Sequence, residues 1–554
     1  MSQKTVYSIA IGLLAALFFM PFLGGVHLFD WDEINFAEAA REMIILKDYL
    51  RVYINFEPFW EKPPLFIWLQ ALSMKLFGIN EYAARFPNAV CGVITLIVLF
   101  LIGEKLYDRR FGFLWSAAYF GSILPHLYFK SGIIDPYFNL FIFLSIYFFV
   151  LFYWKKDAYS NIFLNKSKYY YLAIAGIFMG LALLTKGPAA YIIAGLTFFV
   201  YWVLQKLRLY ISIPQFILYT LVAIAVSMIW YGLVTAVHGT WFVNEFFKYQ
   251  YRLFSTPDAG HAGFPGYHFV VLLVGCFPAS IFCIRAFTRT DQPYIYQRNF
   301  KTWMVILFWV VLILFTIVKS KIVHYSSLCY FPLTYLAALT MYQMLEKRIQ
   351  FNAWMKFGLM AVSTLYIIAT LALPLIGMKA DILKPMFSKD PFAQANLNAV
   401  VNWTGMETIA GVFLLLVVGL AIKWISKHNT MEKGFFTLFG GTATFVMITL
   451  IFFIGRIELY SQGAAIRFFE SLQGKDSYVI TEGYKSFAHL FYTAKQPVTN
   501  PQSYDHQWLL YGNIDKDVYV VAKINHADKL KDVPGLEKLK EENGFVFFRR
   551  KATR

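Results

Sequence analysis

The sequence has few charged residues for its length. Asp, Glu, Lys and Arg make up 15% of the 554 residues, whereas 58% are hydrophobic. Soluble domains carry roughly 25% charged residues, so this composition argues against a soluble protein. Cysteine is also scarce, and all four cysteines fall inside apolar segments without forming a CxxC pair: Cys91, Cys276, Cys283 and Cys329. The sequence therefore predicts neither a disulfide framework nor a cysteine metal site.

Features of nucleic-acid-binding proteins are missing too. The net charge is +17, yet no soluble segment interleaves basic and aromatic side chains as nucleic-acid-binding modules do. Internal repeats and low-complexity tracts are likewise absent from the sequence. In a membrane protein, Lys and Arg gather in cytoplasmic loops and hold the topology, which accounts for a positive total. We therefore expect no nucleic-acid partner.

Long apolar runs are what the sequence does have. Blocks such as Ile9–Gly25 and Ile213–Val237 are nearly uncharged and long enough to cross a hydrocarbon layer of about 30 Å. Because lipid satisfies no backbone hydrogen bonds, such spans must be helices. The fold class predicted is therefore an all-α polytopic membrane protein. About 13 spans are expected, at residues 7–26, 86–103, 112–129, 136–153, 170–184, 188–204, 213–237, 267–284, 302–318, 322–344, 357–377, 406–422 and 434–454.

The short apolar segment Leu65–Gly78 decides the predicted topology. Its length is more typical of an interfacial or re-entrant helix than of a span. If it does not span and the N-terminus is cytoplasmic, the inside loops hold 20 Lys and Arg in 78 residues and the outside loops hold 15 in 128. Making it a span would reverse this bias, so the positive-inside rule favours the non-spanning interpretation. We expect an inner-membrane protein with a cytoplasmic N-terminus.

The composition changes after Ile454. Residues 1–455 form the predicted membrane domain, and residues 456–554 are polar and mixed, which predicts a small periplasmic α/β domain. We expect this domain either to bind an acceptor or partner, or to cover the membrane domain as a structural lid. Its predicted strands are Ser477–Ile480, Val518–Val521 and Phe545–Phe548, and its predicted helical stretches lie within Lys485–Ala494 and Lys529–Asn543.

Polar residues concentrate at one side of the predicted membrane domain. With this topology, charges from sequence-distant loops converge at the outer face, which indicates a functional site there. A transporter more often places such charges at the middle of the membrane, on broken helices. The residues concerned are Asp30, Asp32, Glu33, Glu61, Lys62, Asp135, Lys186, Arg252, Lys319, Lys321, His324 and Tyr325.

Two segments of the first outer loop stand out. Asp32 and Glu33 precede a predicted helix, so they either cap it or act in catalysis. Further along the same helix, Glu38, Arg41 and Glu42 have the spacing of surface ion pairs. The second segment is Glu61-Lys62-Pro63-Pro64, whose prolines fix a non-helical entry at the membrane surface. An interfacial turn with a snorkelling lysine is the alternative interpretation.

Several short motifs follow one another in a characteristic order. They are Asp32-Glu33, Phe36-Ala37-Glu38, Ala40-Arg41-Glu42-Met43, Glu61-Lys62-Pro63-Pro64-Leu65, Trp68-Leu69-Gln70-Ala71, Leu76-Phe77-Gly78, Ala84-Arg85, Leu184-Thr185-Lys186-Gly187-Pro188, Ser320-Lys321, Tyr325 and Pro332. Together they resemble the ArnT-like aminoarabinose transferases and the related protein O-mannosyltransferases. The resemblance covers the span region to about residue 335. Beyond that it depends on the layout of spans and C-terminal domain.

The resemblance implies a membrane glycosyltransferase of the GT-C fold. Such enzymes transfer a sugar from a polyprenyl-phosphate carrier, of the undecaprenyl-phosphate type in bacteria, and need no nucleotide sugar. This agrees with the predicted outer site and with the lack of a soluble nucleotide-binding domain in the sequence. The acceptor implied is a lipid A-type glycolipid or a protein, and membrane lipids surround the spans. A lipid-linked sugar flippase and an oligosaccharide polymerase or ligase remain the alternatives.

The chemistry of the implied reaction assigns roles to the basic residues. Breaking a sugar–phosphate bond leaves a phosphate with additional negative charge, which cations must stabilise. Lys62, Arg252 and Lys321 are the first candidates, and Lys186 is a further one. Arg can hold a phosphate through two hydrogen bonds, whereas Lys acts as a point charge. Tyr325 is a candidate hydrogen-bond donor to the phosphate or sugar.

Most of the acidic residues are candidates for catalysis, and one is a weak candidate for binding a metal. An acceptor hydroxyl needs a base, and Asp32, paired with Glu33, fits this role by motif position. If the acceptor is a phosphate, no base is needed, and Asp32 orients or stabilises the sugar. Asp135 occupies the position of the family's second acid, although Asp135-Pro136 is also an ordinary helix start. Glu61 is a weak candidate for a divalent metal, and no cofactor is required.

The sequence departs from the family at one position. ArnT-like transferases usually carry an arginine two residues after the Asp-Glu pair, and this chain has Asn35. A neutral amide cannot do the work of a guanidinium, so the identity of the sugar is not carried over. His324, taken alone, is more typical of a structural histidine. The Gly/Pro-rich loop Ser255–Tyr267 predicts a flexible cover over the site.

Overall fold

The computed structural model describes residues 2–156, 164–255, 263–288 and 292–552. Most of these residues are helical. The helices of the first half are α1 Gln3–Phe19, α2 Asp32–Leu46, α3 Leu65–Phe77, α4 Glu81–Leu106, α5 Arg109–Phe120, α6 Ile123–Tyr128, α7 Asp135–Lys156, α8 Lys168–Lys186, α9 Ala189–Leu204, α10 Ile213–His238, α11 Trp241–Ser255 and α12 Tyr267–Gly275.

The second half contains shorter helices and all but two of the strands. Its helices are α13 Ala279–Ala286, α14 Ile295–Ile317, α15 Tyr330–Leu345, α16 Ala353–Gly377, α17 Pro391–Asn396, α18 Ile409–Ile425, α19 Met431–Thr449, α20 Gly455–Leu459, α21 Gly463–Glu470, α22 Ala488–Tyr492, α23 His506–Tyr511 and α24 Ile524–Ala527. The strands of the chain are β1 Tyr53–Ile54, β2 Glu57–Pro58, β3 Ser477–Glu482, β4 Asp517–Lys523, β5 Leu536–Glu542 and β6 Phe545–Arg550.

Several helices begin where a polar side chain caps them. The Asn80 side chain accepts a hydrogen bond from the Ala83 amide at 2.8 Å, and Asp108 accepts one from the Phe111 amide at 2.9 Å. Such caps satisfy backbone donors that the first turn of a helix leaves unpaired. The caps therefore set the starts of α4 and α5, and α4 continues for 26 residues from this point.

The structure is that of a multi-pass membrane protein. Within the described residues, eight helices are long and apolar enough to span a membrane. A ninth span results if α12 and α13, which meet at 115° next to Pro278, are counted together. Each of the 13 predicted spans falls on a helix or a pair of helices, but the count of 13 is not confirmed, because several of these helices are short. The segment Leu65–Gly78 forms α3, a 13-residue helix shorter than the full spans.

Helices α7, α8 and α10 pack closely against one another. Gly176 and Gly180 of α8 face α10, and a Cβ atom at either position would lie within 2.9 Å of Val222 or Val226 side-chain atoms. Small residues at such points let helix backbones approach closely in a membrane. The neighbouring helix α7 is buried along nearly its whole length. This arrangement fixes the start of α7, at Asp135, beside the end of α8, at Lys186.

The C-terminal residues form a four-stranded sheet in the order β3-β4-β6-β5. The β3 and β4 strands are parallel, and the other pairs are antiparallel. The predicted strands are confirmed, and a helix lies within Lys485–Ala494. The helix predicted within Lys529–Asn543 is wrong, because this segment contains β5. Its Lys and Glu residues favour a helix, but Asn543 and Gly544, both with positive φ, form a tight hairpin turn that pairs β5 with β6.

The division of the chain into domains at residues 455 and 456 stays a prediction. A continuous helical run, composed of α19, a π-helical turn at Leu450–Ile454 and α20, crosses this position. The C-terminal region also contacts the segment between α1 and α2 directly. The Tyr492 hydroxyl accepts a hydrogen bond from the Leu28 amide at 2.6 Å, and the Gln462 amide donates to the Leu28 carbonyl at 2.9 Å.

The charged residues in the middle of α2 are buried, which corrects the expectation of surface ion pairs. Arg41 donates two hydrogen bonds of 2.7 Å to the Glu38 carboxylate, and both side chains are at most 2% exposed. Glu42 is also buried and accepts hydrogen bonds from the backbone amides of Asn55 and Phe56. Helical spacing gives the same pattern for surface pairs and buried clusters, so the sequence could not separate them.

Candidate active site

One cavity of about 400 Å³ collects most of the predicted site residues. Its walls come from the start of α2, the Pro-rich turn before α3, the start of α7, the end of α8, helix α11, and the 3₁₀ segment Val323–Cys329. Segments far apart in sequence therefore meet at one place. The polar residues that line it are Asp30, Asp32, Glu33, Asn35, Glu61, Lys62, Asp135, Asn139, Lys186, Tyr249, His324 and Tyr325.

Acidic and basic groups alternate along one wall of the cavity. The Lys186 ammonium lies 2.8 Å from Asp135 Oδ1. The His324 Nε2 atom lies 3.9 Å from Asp135 Oδ2 and 3.4 Å from Asp32 Oδ2. Asp135 is almost wholly buried, with its side chain 4% exposed, whereas the Asp32 side chain is 30% exposed. Asp32 is thus the acid of this row with the greatest access to a bound molecule.

Lys62 supplies a second cation to the cavity. Its Nζ atom lies 3.5 Å from the Tyr249 hydroxyl and 5.0 Å from the centre of that ring. Among the described residues, no carboxylate lies within 4 Å of this ammonium. Burial lowers the pKa of Lys62, although the carboxylates of Glu61 and Asp32 oppose the shift. The turn at Pro63 and Pro64 directs this lysine into the cavity ahead of α3.

Glu33 has the contacts of a buried structural acid. It forms two hydrogen bonds with the Arg85 guanidinium, at 3.0 and 2.8 Å, and accepts two more from the backbone amides of Phe29 and Gly132. Burial alone raises the pKa of this carboxyl, but the Arg85 charge and these hydrogen bonds hold it below its usual range. Its predicted catalytic role stays a prediction, and its contacts favour a role in holding the first outer loop.

Two of the predicted phosphate-binding residues do not line the cavity. Lys321 donates three hydrogen bonds to the carbonyls of Phe315, Thr316 and Val318, at 3.1, 2.6 and 2.5 Å, and so caps the end of α14. Arg252 is exposed on α11, with its guanidinium carbon 5.2 Å from the Tyr249 ring centre. A phosphate role for Lys321 would require the loss of these helix contacts. Residues 256–262 of the predicted covering loop lie outside the described residues.

The remaining predicted residues lie at the cavity. The Tyr325 ring is 5.5 Å from the Lys186 ammonium, so this tyrosine and lysine share the wall beside Asp135. Glu61 also lines the cavity, but within the described ranges no group of three or more His, Cys, Asp or Glu side chains is arranged to hold a metal ion. Glu61 alone does not make a metal site, and no step of the chemistry below depends on one.

Sequence reasoning undervalued two residues. His324 was interpretable as structural because a single histidine carries no partner information in the sequence, whereas the fold places it between two acids. Tyr249 lies on the amphipathic helix α11, whose apolar side faces the membrane domain. Tyr249 was not among the residues predicted from the sequence, because one aromatic residue among many on a helix carries no information about its partners. The positions of both depend on contacts between sequence-distant segments.

Comparison with known proteins agrees with this architecture. A family model described as dolichyl-phosphate-mannose-protein mannosyltransferase matches residues 61–231. The chain is 25% identical to the undecaprenyl phosphate-alpha-4-amino-4-deoxy-L-arabinose arabinosyl transferase of Wigglesworthia glossinidia brevipalpis, over 61% of this chain and 58% of that protein. It is 23% identical to the protein of the same name from Pectobacterium carotovorum, over 74% and 72% of the two chains.

A solved structure extends the likeness to the whole chain. The crystal structure of ArnT from Cupriavidus metallidurans bound to undecaprenyl phosphate is similar with a TM-score of 0.76 and 17% identity, over 99% of this chain and 98% of that one. The chain therefore has the GT-C fold of polytopic membrane glycosyltransferases. The ArnT-like resemblance predicted from the motifs is confirmed by the family match, the curated relatives and this structure together.

Proposed function

We propose that the protein transfers a glycosyl group from an undecaprenyl-phosphate-type sugar to an acceptor at the outer face of the inner membrane. The observation that carries the proposal is the cavity in which Asp32, Lys62, Asp135 and Lys186 meet. A partly exposed acid shares this cavity with two lysines, which are the groups that a displacement at a sugar–phosphate bond requires. The names of the curated relatives, which are undecaprenyl-phosphate-dependent sugar transferases, support the same donor class.

The residues of the cavity divide the reaction between them. The acceptor oxygen attacks the anomeric carbon, the bond from that carbon to the phosphate oxygen breaks, and the carrier leaves as polyprenyl phosphate. Asp32 takes the proton of an acceptor hydroxyl. Lys62, which has no carboxylate within 4 Å among the described residues, stabilises the charge on the leaving phosphate, and Lys186 contributes beside Asp135. Direct displacement inverts the configuration of the sugar.

The orientation in the membrane belongs to this proposal. The higher density of Lys and Arg in the predicted inside loops supports a cytoplasmic N-terminus and a periplasmic domain at residues 456–554. The cavity then opens to the side on which lipid-linked sugars, and not nucleotide sugars, are available. The acceptor proposed is a lipid A-type glycolipid or a protein.

A transfer assay on the purified protein tests the function. Radiolabelled polyprenyl-phosphate sugars are offered with membrane glycolipids and secreted proteins as acceptors, and the wild type is compared with Asp32→Asn. The matched control is Asp381→Asn, because Asp381 is an exposed acid that does not line the cavity. Label is expected on one acceptor with the wild type and the control, and a loss of at least about 1000-fold is expected for Asp32→Asn.

Two outcomes would contradict the proposal. Transfer that survives in Asp32→Asn would remove the role of this carboxylate. No transfer from any donor, together with movement of the labelled carrier across vesicle bilayers, would instead establish a lipid-linked sugar flippase.

A further inference from the structure

His324 occupies a position that the proposed reaction has not yet used. Its Nε2 atom faces two carboxylates from different elements, Asp32 of α2 and Asp135 of α7. The side chain is 15% exposed and lines the cavity. One ring nitrogen therefore faces both acids at distances longer than those of ordinary hydrogen bonds, and an N–H on this nitrogen is placed to interact with either carboxylate.

The buried acid of this pair has an unfilled hydrogen-bonding position. Asp135 Oδ1 accepts from Lys186, whereas Oδ2 is buried and has no hydrogen-bond partner among the described residues within normal range. A buried carboxylate oxygen without a donor is costly. The His324 Nε2 atom lies 3.9 Å from this oxygen. Because both carboxylate oxygens that face Nε2 are acceptors, they favour the form of the histidine that carries hydrogen on Nε2.

The backbone of His324 is held independently of its ring. The Ser327 hydroxyl donates to the His324 carbonyl at 2.5 Å and accepts a hydrogen bond of 2.7 Å from the Asn139 amide of α7. Asn139 lies one helical turn after Asp135. The helix that carries the buried acid therefore also fixes the segment that carries the histidine. These contacts fix the backbone from which the imidazole projects relative to Asp135.

We propose that His324 is a positioning residue that orients Asp32 toward the acceptor through its Nε2–H, and that Asp135, itself paired with Lys186, helps to fix the imidazole at the same nitrogen. In the row Asp32, His324, Asp135 and Lys186, each carboxylate lies beside a group that can donate a hydrogen bond to it. His324 takes no part in the covalent step, and the proton of the acceptor stays on Asp32. This inference rests on the proposed glycosyl transfer, because it concerns how the base of that reaction is held.

Rescue by a hydrogen-bond donor separates positioning from packing. In His324→Gln the side-chain amide can still donate to Asp32, whereas in His324→Leu the volume is kept and the donor is lost. We expect kcat to fall about 100-fold in the Leu variant and less than about tenfold in the Gln variant, with the donor KM within about twofold of the wild type in both. The control is His268→Gln, because His268 is buried nearby against Ser326 but does not line the cavity.

A double-mutant cycle tests the connection to Asp32. If His324 acts through Asp32, His324→Leu lowers the residual rate of Asp32→Asn less than about threefold, although it lowers the wild-type rate about 100-fold. Equal losses in both backgrounds, or equal losses in the Gln and Leu variants, would overturn the inference. Thermal melting of each variant identifies a folding defect. If the wild-type protein shows no transfer, the proposed function itself is wrong. If the wild type transfers sugar and His324→Leu transfers it equally fast, only the inference about His324 is wrong.

Discussion

The start and the middle of helix α2 carry similar charges in opposite situations. At its start, Asp32 faces the cavity with a side chain 30% exposed, and its Oδ2 atom lies 3.4 Å from His324 Nε2. Toward its middle, Glu38 and Arg41 are paired through two hydrogen bonds of 2.7 Å and are closed off from solvent. Asp32 therefore keeps carboxylate oxygens that can bind a substrate, whereas the charged groups of Glu38 and Arg41 already bind each other inside the protein.

Adjacent residues show the same contrast. Asp32 and Glu33 form one motif in the sequence, but Glu33 is buried and accepts four hydrogen bonds. A charge with all its partners inside the protein stabilises structure, whereas a charge with a free side can act on a ligand. The comparison therefore predicts which substitutions abolish activity and which abolish folding.

The largest expected effects distinguish Asp32 from Glu33, because substitution of the first should lower activity and substitution of the second should lower stability. Asp32→Asn should lower transfer at least about 1000-fold, because a base is lost, while the melting temperature changes little. Glu33→Gln should instead lower stability by about 3 kcal/mol or more, since it leaves the buried Arg85 without its counter-charge. Transfer assays and thermal melting in detergent measure the two effects. A Glu33→Gln protein that melts normally but does not transfer would make Glu33 a catalytic residue after all.

Lys62 gives the next largest effect. Lys62→Met should lower kcat about 100-fold, because the leaving phosphate loses its cation. Lys321→Met removes a cation that caps α14 and does not line the cavity, so its effect on kcat should stay within about fivefold.

Burial lowers the pKa of Lys62, so wild-type activity should fall at alkaline pH as this ammonium loses its proton. In Lys62→Arg the fall should move to higher pH, because arginine stays charged. An unchanged alkaline limb would assign that limb to another group.

The buried acid Glu42, in the middle of α2, predicts that the stability of the protein depends on pH. Burial and the neighbouring Glu38 raise the pKa of Glu42 from its ordinary 4.5 to about 9. The folded state therefore holds a proton that the unfolded state releases, and this contribution is full below pH 4.5 and is lost as the pH rises toward 9. The melting temperature should fall between pH 7 and pH 9. Glu42→Gln should flatten this fall, and an equally steep fall in that variant would exclude Glu42 as its source.

The sequence predicted the fold class well because its strongest signals are local. Apolar length and the positive-inside bias marked the helices of the membrane domain, and alternating apolar residues marked β3, β4 and β6. The β5 strand was missed because its Lys and Glu residues have helical propensity and only its hairpin partner makes it a strand. For the site, motif order predicted the cavity residues Asp32, Lys62 and Asp135. Which charges are already satisfied depends on long-range contacts, so the places of Glu33 and Lys321 could not be predicted.

The smallest expected effect concerns the edge of the cavity next to the C-terminal sheet. The Lys485 ammonium is exposed and lies 4.8 Å from the Trp31 ring centre, and Trp31 lines the cavity directly before Asp32. If the C-terminal region helps to bind an anionic acceptor, Lys485→Gln should raise the acceptor KM about threefold and leave kcat unchanged. Lys475→Gln is the matched control, because Lys475 is an exposed lysine of the same region, lies 5.9 Å from the Tyr519 ring centre, and does not line the cavity. A KM that Lys485→Gln leaves unchanged, for glycolipid and protein acceptors alike, would favour the structural-lid interpretation of residues 456–554. In that case the C-terminal region acts through its contacts with the segment that carries Asp32, and not through the acceptor.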